Sequence, residues 1–175
     1  MLGLLCEGQT HGWSLVRALR PEGEIGRVWS CSRPLVYRAI EVLAAEGLVE
    51  KHGSEESRSG PSRTLVAAAP AGRRALDRWL RTPVRHPRDV RSELMLKLVL
   101  HDRLGRDPRG LVRAQRQAFA PLRESLEAQV AAAAAFDRTL ALWRATNVEA
   151  ALRFLGELEA DGREARPGAG RSSGQ

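Results

Sequence analysis

Apolar residues recur at helical spacing along most of this chain, and at strand spacing in two short places. Val36, Ala39, Ile40 and Leu43 lie three and four residues apart and predict a short helix with one apolar face. Ser32 is placed as its N-cap, where a hydroxyl accepts an orphan backbone N–H of the first turn. Pro34 falls in that turn, where its missing N–H costs nothing. Gly47 ends the helix as a left-handed residue. Upstream, Thr10 to Leu19 reads as a second short helix with Leu15, Val16 and Leu19 turned inward. Downstream, Leu48 to His52 and Thr64 to Ala67 read as strands, separated by a Ser-, Gly- and Arg-rich loop from Gly53 to Arg63. Two helices followed by strand, polar loop and strand are the order of a winged helix-turn-helix.

Beyond residue 82 the pattern is helical. Thr82 to Pro87 reads as a linker, because its two prolines oppose helix. Asp89 is placed as the cap of a helix reaching about His101, with Val90, Leu94 and Leu98 packing. Asp107 and Pro108 read as the N-cap and first residue of a long helix into the 130s. Its stripe is Leu111, Ala114, Ala118, Leu122, Leu126 and Val130, and Pro121 is expected to kink or split it. A last helix from about Arg138 to Asp161 carries Val148, Ala151, Leu152, Leu155 and Leu158. The fold class is therefore mainly α. It divides into a winged helix-turn-helix over 1–86 with a two-stranded wing, an all-α coiled-coil-like domain over 87–162, and a disordered tail over 163–175. The long apolar stripes have two possible destinations: the chain's own winged helix, or a second copy. In the second case Leu111, Ala118, Leu122, Leu126, Val148, Leu152 and Leu155 carry dimerisation.

The helix around residue 37 also has two readings. It is an ordinary amphipathic surface helix, or it is a recognition helix that buries one side and offers Arg33, Tyr37 and Arg38 near its N-terminus. On the second reading Ser32, Arg33, Tyr37 and Arg38 meet bases and phosphates, while Arg58 and Arg63 reach phosphates from the wing.

The chain resembles the PadR-type transcriptional regulators. The resemblance rests on Leu2-Gly3-Leu4-Leu5 with Glu7-Gly8, His11-Gly12-Trp13 with Leu15, and Val36-Tyr37-Arg38-Ala39-Ile40 with Leu43. It continues through Glu46-Gly47-Leu48-Val49, Pro70-Ala71-Gly72 with Trp79-Leu80, and Arg91-Ser92-Glu93-Leu94-Met95-Leu96-Lys97-Leu98. It ends near Leu152-Arg153-Phe154-Leu155-Gly156-Glu157-Leu158-Glu159 and so covers nearly the whole chain, as in the larger branch of the family. The resemblance implies a homodimeric regulator, acting as a repressor on a pseudo-palindromic operator. The chain departs from the family pattern in several places. Pro34-Leu35 stands where a Gly and a hydroxyl residue are usual, which leaves Leu35 to press on a thymine methyl. Val66 and Ala69 replace an aromatic anchor and a hydroxyl helix cap, and losing the cap costs about 1 kcal/mol. Trp13 replaces a Tyr, and the first helix looks shortened at its start.

Composition changes this picture little. The net charge of +7 suits a polyanionic partner, but the excess is spread along the chain and is almost all Arg. Cys6 and Cys31 make no disulfide framework, and a reducing, cytoplasmic setting is expected. Cys31 is read as a small packed hydrophobe or as a redox sensor ahead of the recognition helix. His11, His52, His86 and His101 lack metal-ligand spacing, and no phosphate loop or nucleophile elbow appears. No enzyme activity and no cofactor are expected. No stretch is apolar enough for a membrane span. Trp13, Trp29, Trp79 and Trp143 are core anchors, or one or two of them, with Trp13, Trp79 and Trp143 ahead, line a pocket for a small aromatic or planar effector between the winged helix and the C-terminal helices. The rival functions are a winged-helix protein-interaction module that does not read DNA, and an activator of the same fold.

Overall fold

The structure is a computed structural model, and it describes residues 1–55 and 63–164. It forms two compact units, one of residues 1–82 and 91–107 and the other of residues 83–90 and 108 onward.

The first unit is a winged helix-turn-helix. Its described elements are α1 (Leu2–Glu7), β1 (Thr10–His11), α2 (Gly12–Ala18), α3 (Arg33–Ala45), β2 (Val49–Glu55), β3 (Arg63–Ala68), α4 (Pro70–Arg81) and α5 (Met95–Arg103). Leu5, Leu15, Val36, Ile40, Val66, Leu76, Leu80 and Leu100 form its core. The wing hairpin pairs β2 with β3, from Val49 opposite Ala68 to Glu55 opposite Arg63, and slips its register near Gly53. Thr10 and His11, expected at the start of a helix, instead form a third strand against Val66 and Leu65. The helix begins only at Gly12, so the sheet order is β1-β3-β2.

The ends of α3 show what its sequence signals do. Gly47 takes φ +68°, and the chain closes with Gly47 N–H donating to Ala44 and Leu48 N–H to Leu43. That pair of bonds satisfies two orphan carbonyls and stops the helix sharply. Ser32 holds the N-cap position, but its hydroxyl bonds no first-turn N–H. A cap hydroxyl addresses the second or third helical N–H. Pro34 occupies the second position and has none to give, and the hydroxyl does not bond the Leu35 N–H at the third, so the expected cap bond is not made.

Glycine explains the Pro-x-Gly motif at the start of α4. A Cβ on Gly72 would lie 2.1 Å from the Leu48 carbonyl oxygen, so α4 packs against the entry to β2 only where no side chain intervenes. The N-cap of that helix is Ala69, with no side-chain bond.

Residues 91–107, read from sequence as part of the C-terminal helical domain, pack in the first unit, where Leu100 joins the core. Asp89 is not a helix cap. It ends a 3₁₀ turn over Pro87–Asp89 that is capped by His86, and a π-type turn over Val90–Leu94 leads into α5. Pro87 pre-sets the first helical φ two residues earlier than expected. Lys97 on α5 is 1% exposed. Its ammonium donates to the Thr82 carbonyl at 2.6 Å, pairs with Glu93 at 2.8 Å and lies 4.8 Å from the centre of the Trp79 ring. The end of α5 is held by Arg103, which grips both carboxylate oxygens of Glu7 at 2.5–2.6 Å and also bonds Glu24. Those two carboxylates hold the Arg103 guanidinium in its charged form even more firmly than usual.

The second unit is an antiparallel hairpin of α6 (Arg109–Ala132) and α7 (Ala135–Glu164). Pro108, not Asp107, is the N-cap of α6, and its carbonyl accepts the first helical bond from Val112. Pro121 does not split α6. It lies on the exposed side, and Gln117, whose carbonyl its ring leaves without a helical donor, is exposed to solvent as well. The buried face of α6 is Leu111, Val112, Gln115, Phe119 and Leu126. Ala118 falls outside that arc and is exposed. The segment read as a linker is strapped down: the Gln115 amide donates to the Val84 carbonyl at 2.9 Å and accepts its N–H at 2.6 Å, with Val84 buried. The last helix starts earlier than expected, at Ala135, and runs to Glu164, into the expected tail. Residues 165–175 of that tail lie outside the described residues.

Two stability outcomes follow. Gly72→Ala forces α4 away from Leu48 and costs about 1–3 kcal/mol or more, read as a lower midpoint in urea unfolding. Gln115→Leu strands the buried N–H and C=O of Val84 and costs about 1–3 kcal/mol per group left unpaired in the same measurement.

Candidate nucleic-acid interface

Burial of Val36 and Ile40 sets the rotation of α3, and with it the residues shown to solvent. At about 100° per residue, the face opposite the core carries Leu35, Arg38 and Val42. Leu35 is 54% and Val42 47% exposed, and Arg38 is exposed with no ion-pair partner among the described residues. Val42, seven residues after Leu35, was not among the candidates, although the helical period marks it. Arg33 and Tyr37 lie on a different flank, the one turned toward α2. The Arg33 guanidinium sits 5.7 Å from the centre of the Tyr37 ring. Glu41 is occupied by Lys51 of β2 at 2.5 Å, a contact that ties the helix to the wing.

Tyr37 explains the His-Gly-Trp motif. A Cβ on Gly12 would lie 2.7 Å from Cε1 of Tyr37, so the ring packs directly on the Gly12 backbone. A bare backbone at residue 12 thus lets a 40%-exposed aromatic sit in one place. Trp13 follows, 41% exposed, with Arg20 4.9 Å above its ring. Ser32 is exposed just ahead of Arg33. Arg63 opens β3, and Arg58 lies outside the described residues. The structure therefore brings Ser32, Arg33, Leu35, Tyr37 and Arg38 together on one helix end, but divides them between two flanks.

The aromatic candidates part company. Trp13 and Trp79 belong to the first unit and Trp143 to the second, where it is 63% exposed. The first unit holds a cavity of about 470 Å³ lined by Leu2, Leu19, Trp29, Leu43, Trp79 and Leu100 among others. Of the four candidate tryptophans, Trp29 and Trp79 line it. Both cysteines are free thiols packed beside the core, and burial pushes the Cys6 thiol up from its ordinary pKa. Among the described residues, no group of three or more His, Cys, Asp or Glu side chains is placed to hold a metal ion, and no helix is long and apolar enough to cross a membrane.

The residues proposed for dimerisation are mostly spent within the chain. Leu111, Leu126, Val148 and Leu155 are buried between α6 and α7, and Leu122 and Leu152 are half-buried. What the hairpin leaves exposed is Phe136 at 74%, Leu142 and Trp143.

The chain matches no protein-family model and no curated protein. Among solved structures it is similar to Bacillus subtilis PadR in complex with operator DNA, at 20% identity and a TM-score of 0.46, over 91% of this chain and 94% of that one. It is also similar to smu.1604c from Streptococcus mutans UA159, at 14% identity and a TM-score of 0.43, over 91% and 95% of the two chains.

The Gly12–Tyr37 contact is open to a double-mutant cycle. Gly12→Ala costs about 1–3 kcal/mol in the parent, as overpacking does, and well under 1 kcal/mol in a Tyr37→Ala background where the ring is gone.

Proposed function

We propose that the protein is a DNA-binding transcriptional regulator, a homodimeric repressor that lays two copies of α3 into successive major grooves of a pseudo-palindromic operator. The observation that carries this reading is the exposed Arg38, without an ion-pair partner among the described residues, on the outer face of a helix whose other face is locked into a winged-helix core. Arg38 suits a guanine edge, and Leu35 and Val42 suit thymine methyls. Arg33, Tyr37 and Ser32 are assigned to flanking bases and phosphates, and Arg58 and Arg63 to phosphates under the wing. Such a regulator works in the cytoplasm.

The dimer is proposed to form through the face of the helical hairpin that stays exposed. Phe136 and Trp143, seven residues apart on α7, are its anchors, and the expected Leu stripe is not. An apolar or planar effector is proposed to enter the cavity beside Trp29 and Trp79, because that cavity touches Leu43 on α3 itself. A ligand shifts DNA affinity only if it prefers one position of that helix.

The exposure of Leu35 and Val42 also favours a second reading, a protein-interaction module that uses α3 as an apolar docking ridge. Salt separates the two, since DNA affinity falls steeply with ionic strength and an apolar dock does not.

Selection from a random-sequence duplex library with the full chain is expected to enrich an inverted repeat with half-sites about 34 Å apart. Arg38→Ala and Arg33→Ala each weaken binding to that repeat by about 1–3 kcal/mol. Arg58→Ala or Arg63→Ala weakens binding to all sequences alike. Enrichment of no repeat, or unchanged affinity in folded Arg33 and Arg38 variants, overturns the reading. Light scattering is expected to give a dimer mass for the parent and a monomer mass for Trp143→Arg; a monomeric parent at high concentration removes the dimer and the palindrome together.

A further inference from the structure

We propose that a cleft in the first unit, lined by the end of α1, by β1, by α2 and by Arg103 of α5, binds a small primary amine as its ammonium ion. The proposal stands apart from the DNA-binding reading and uses no residue of α3. The cleft holds about 270 Å³. Small-molecule sites run from about 300 to 1,000 Å³, so this one suits a ligand at the small end of that range.

Charge sets the sign of the ligand. Among the described residues, the Arg103 guanidinium is the one cation on the wall, and its donors are taken. Its Nε and one terminal nitrogen bond the two oxygens of Glu7 at 2.6 and 2.5 Å, and its other terminal nitrogen bonds Glu24. Two carboxylates thus meet one guanidinium, and the trio keeps one negative charge. The neighbouring guanidinium groups do not line the cleft: Arg106 pairs with Asp77, and Arg73 donates to the Cys6 carbonyl. An entering anion therefore finds no free cation. An ammonium finds the Glu7 carboxylate, which offers about four acceptor sites and spends one on each oxygen.

The rest of the wall supplies acceptors and a short apolar floor. The side chains of Gln9, Thr10 and Ser14 line the cleft and make no hydrogen bond among the described residues. Thr10 is held by its pairing with Val66, and Ser14 lies on α2, so both hydroxyls are carried by ordered backbone. A primary ammonium has three N–H donors, which one carboxylate and two hydroxyls can satisfy. A quaternary ammonium has none and leaves those acceptors unused. Leu4, Leu15 and Ala18 complete the lining and offer an apolar surface to one short hydrocarbon arm.

The test is calorimetric titration of the full chain at neutral pH with 2-phenylethylamine, using 2-phenylethanol and phenylacetate as neutral and anionic counterparts of similar shape. The amine is expected to bind saturably with a Kd on the order of 0.1–1 mM, and the alcohol and the acid about tenfold more weakly or worse. Ser14→Leu fills the cleft without touching either ion pair and is expected to abolish binding. Glu24→Gln alters an exposed side chain, removes the surplus charge and is expected to weaken the amine several-fold, with circular dichroism as in the parent. Asp161→Asn removes an exposed carboxylate from α7 and leaves the affinity unchanged, which controls for net charge. The proposal is overturned by a parent that shows no saturable amine binding, or that binds the alcohol or the acid as tightly. Amine binding that survives in folded Ser14→Leu, or is unchanged in Glu24→Gln, overturns it equally.

Discussion

The burial of Val36 and Ile40 governs what the first unit offers to other molecules. Both side chains sit in the core, and each contributes about 1.5–3 kcal/mol by leaving water. Rotating α3 by one residue would expose them, so the helix has one rotation only. That rotation turns Leu35, Arg38 and Val42 outward and Arg33 and Tyr37 toward α2. The sharp stop at Gly47 then fixes where β2 begins, and Lys51 of that strand returns to Glu41. An exposed pair of this kind adds at most about 1 kcal/mol, so it adjusts the wing while the core places it.

Polar groups taken out of water set the second constraint. Lys97 is almost fully buried, and a buried ammonium is tolerated only with partners. It has three: a carboxylate, a main-chain carbonyl and an aromatic face, which together hold the end of α4 against α5. His101, one turn later, lies 3.3 Å from the Leu80 carbonyl. The segment read as a linker is governed by the same rule in the second unit, where the Gln115 amide satisfies both main-chain groups of buried Val84. A proline pair breaks a helix, but it does not make a chain free when a buried amide lies opposite.

The helical hairpin shows that a period does not name what covers it. The apolar spacing along α6 and α7 is genuine, and both are helices. A stripe of Leu and Ala states that something covers it, without stating what. Here the two helices cover each other, with Phe119 and Gln115 at the centre of the buried arc and Ala118 outside it. The aromatic residues left over, Phe136 and Trp143, lie on a face whose period is less conspicuous, because aspartate, arginine and threonine stand between them.

Local chemistry was enough to read the α3 helix, its glycine stop, the two wing strands and the long helices. Each of those follows from interactions within about five residues: side-chain period, a missing N–H, a left-handed glycine. Contacts between distant residues decided the rest. Thr10 and His11 became a strand because Val66 and Leu65 offered an open edge. Ser32 makes no cap bond, and the proline two residues on removes one of the two N–H groups it could address. Gly12 and Gly72 proved to be bare for the sake of Tyr37 and the Leu48 carbonyl, residues 25 and 24 positions away. Residues 91–107 joined the first unit because Leu100, Lys97 and Arg103 find their partners there. A sequence states which groups must be covered or paired, since that is a property of each side chain. Which group does the covering depends on the packing of segments far apart in the chain, and that only the tertiary structure decides.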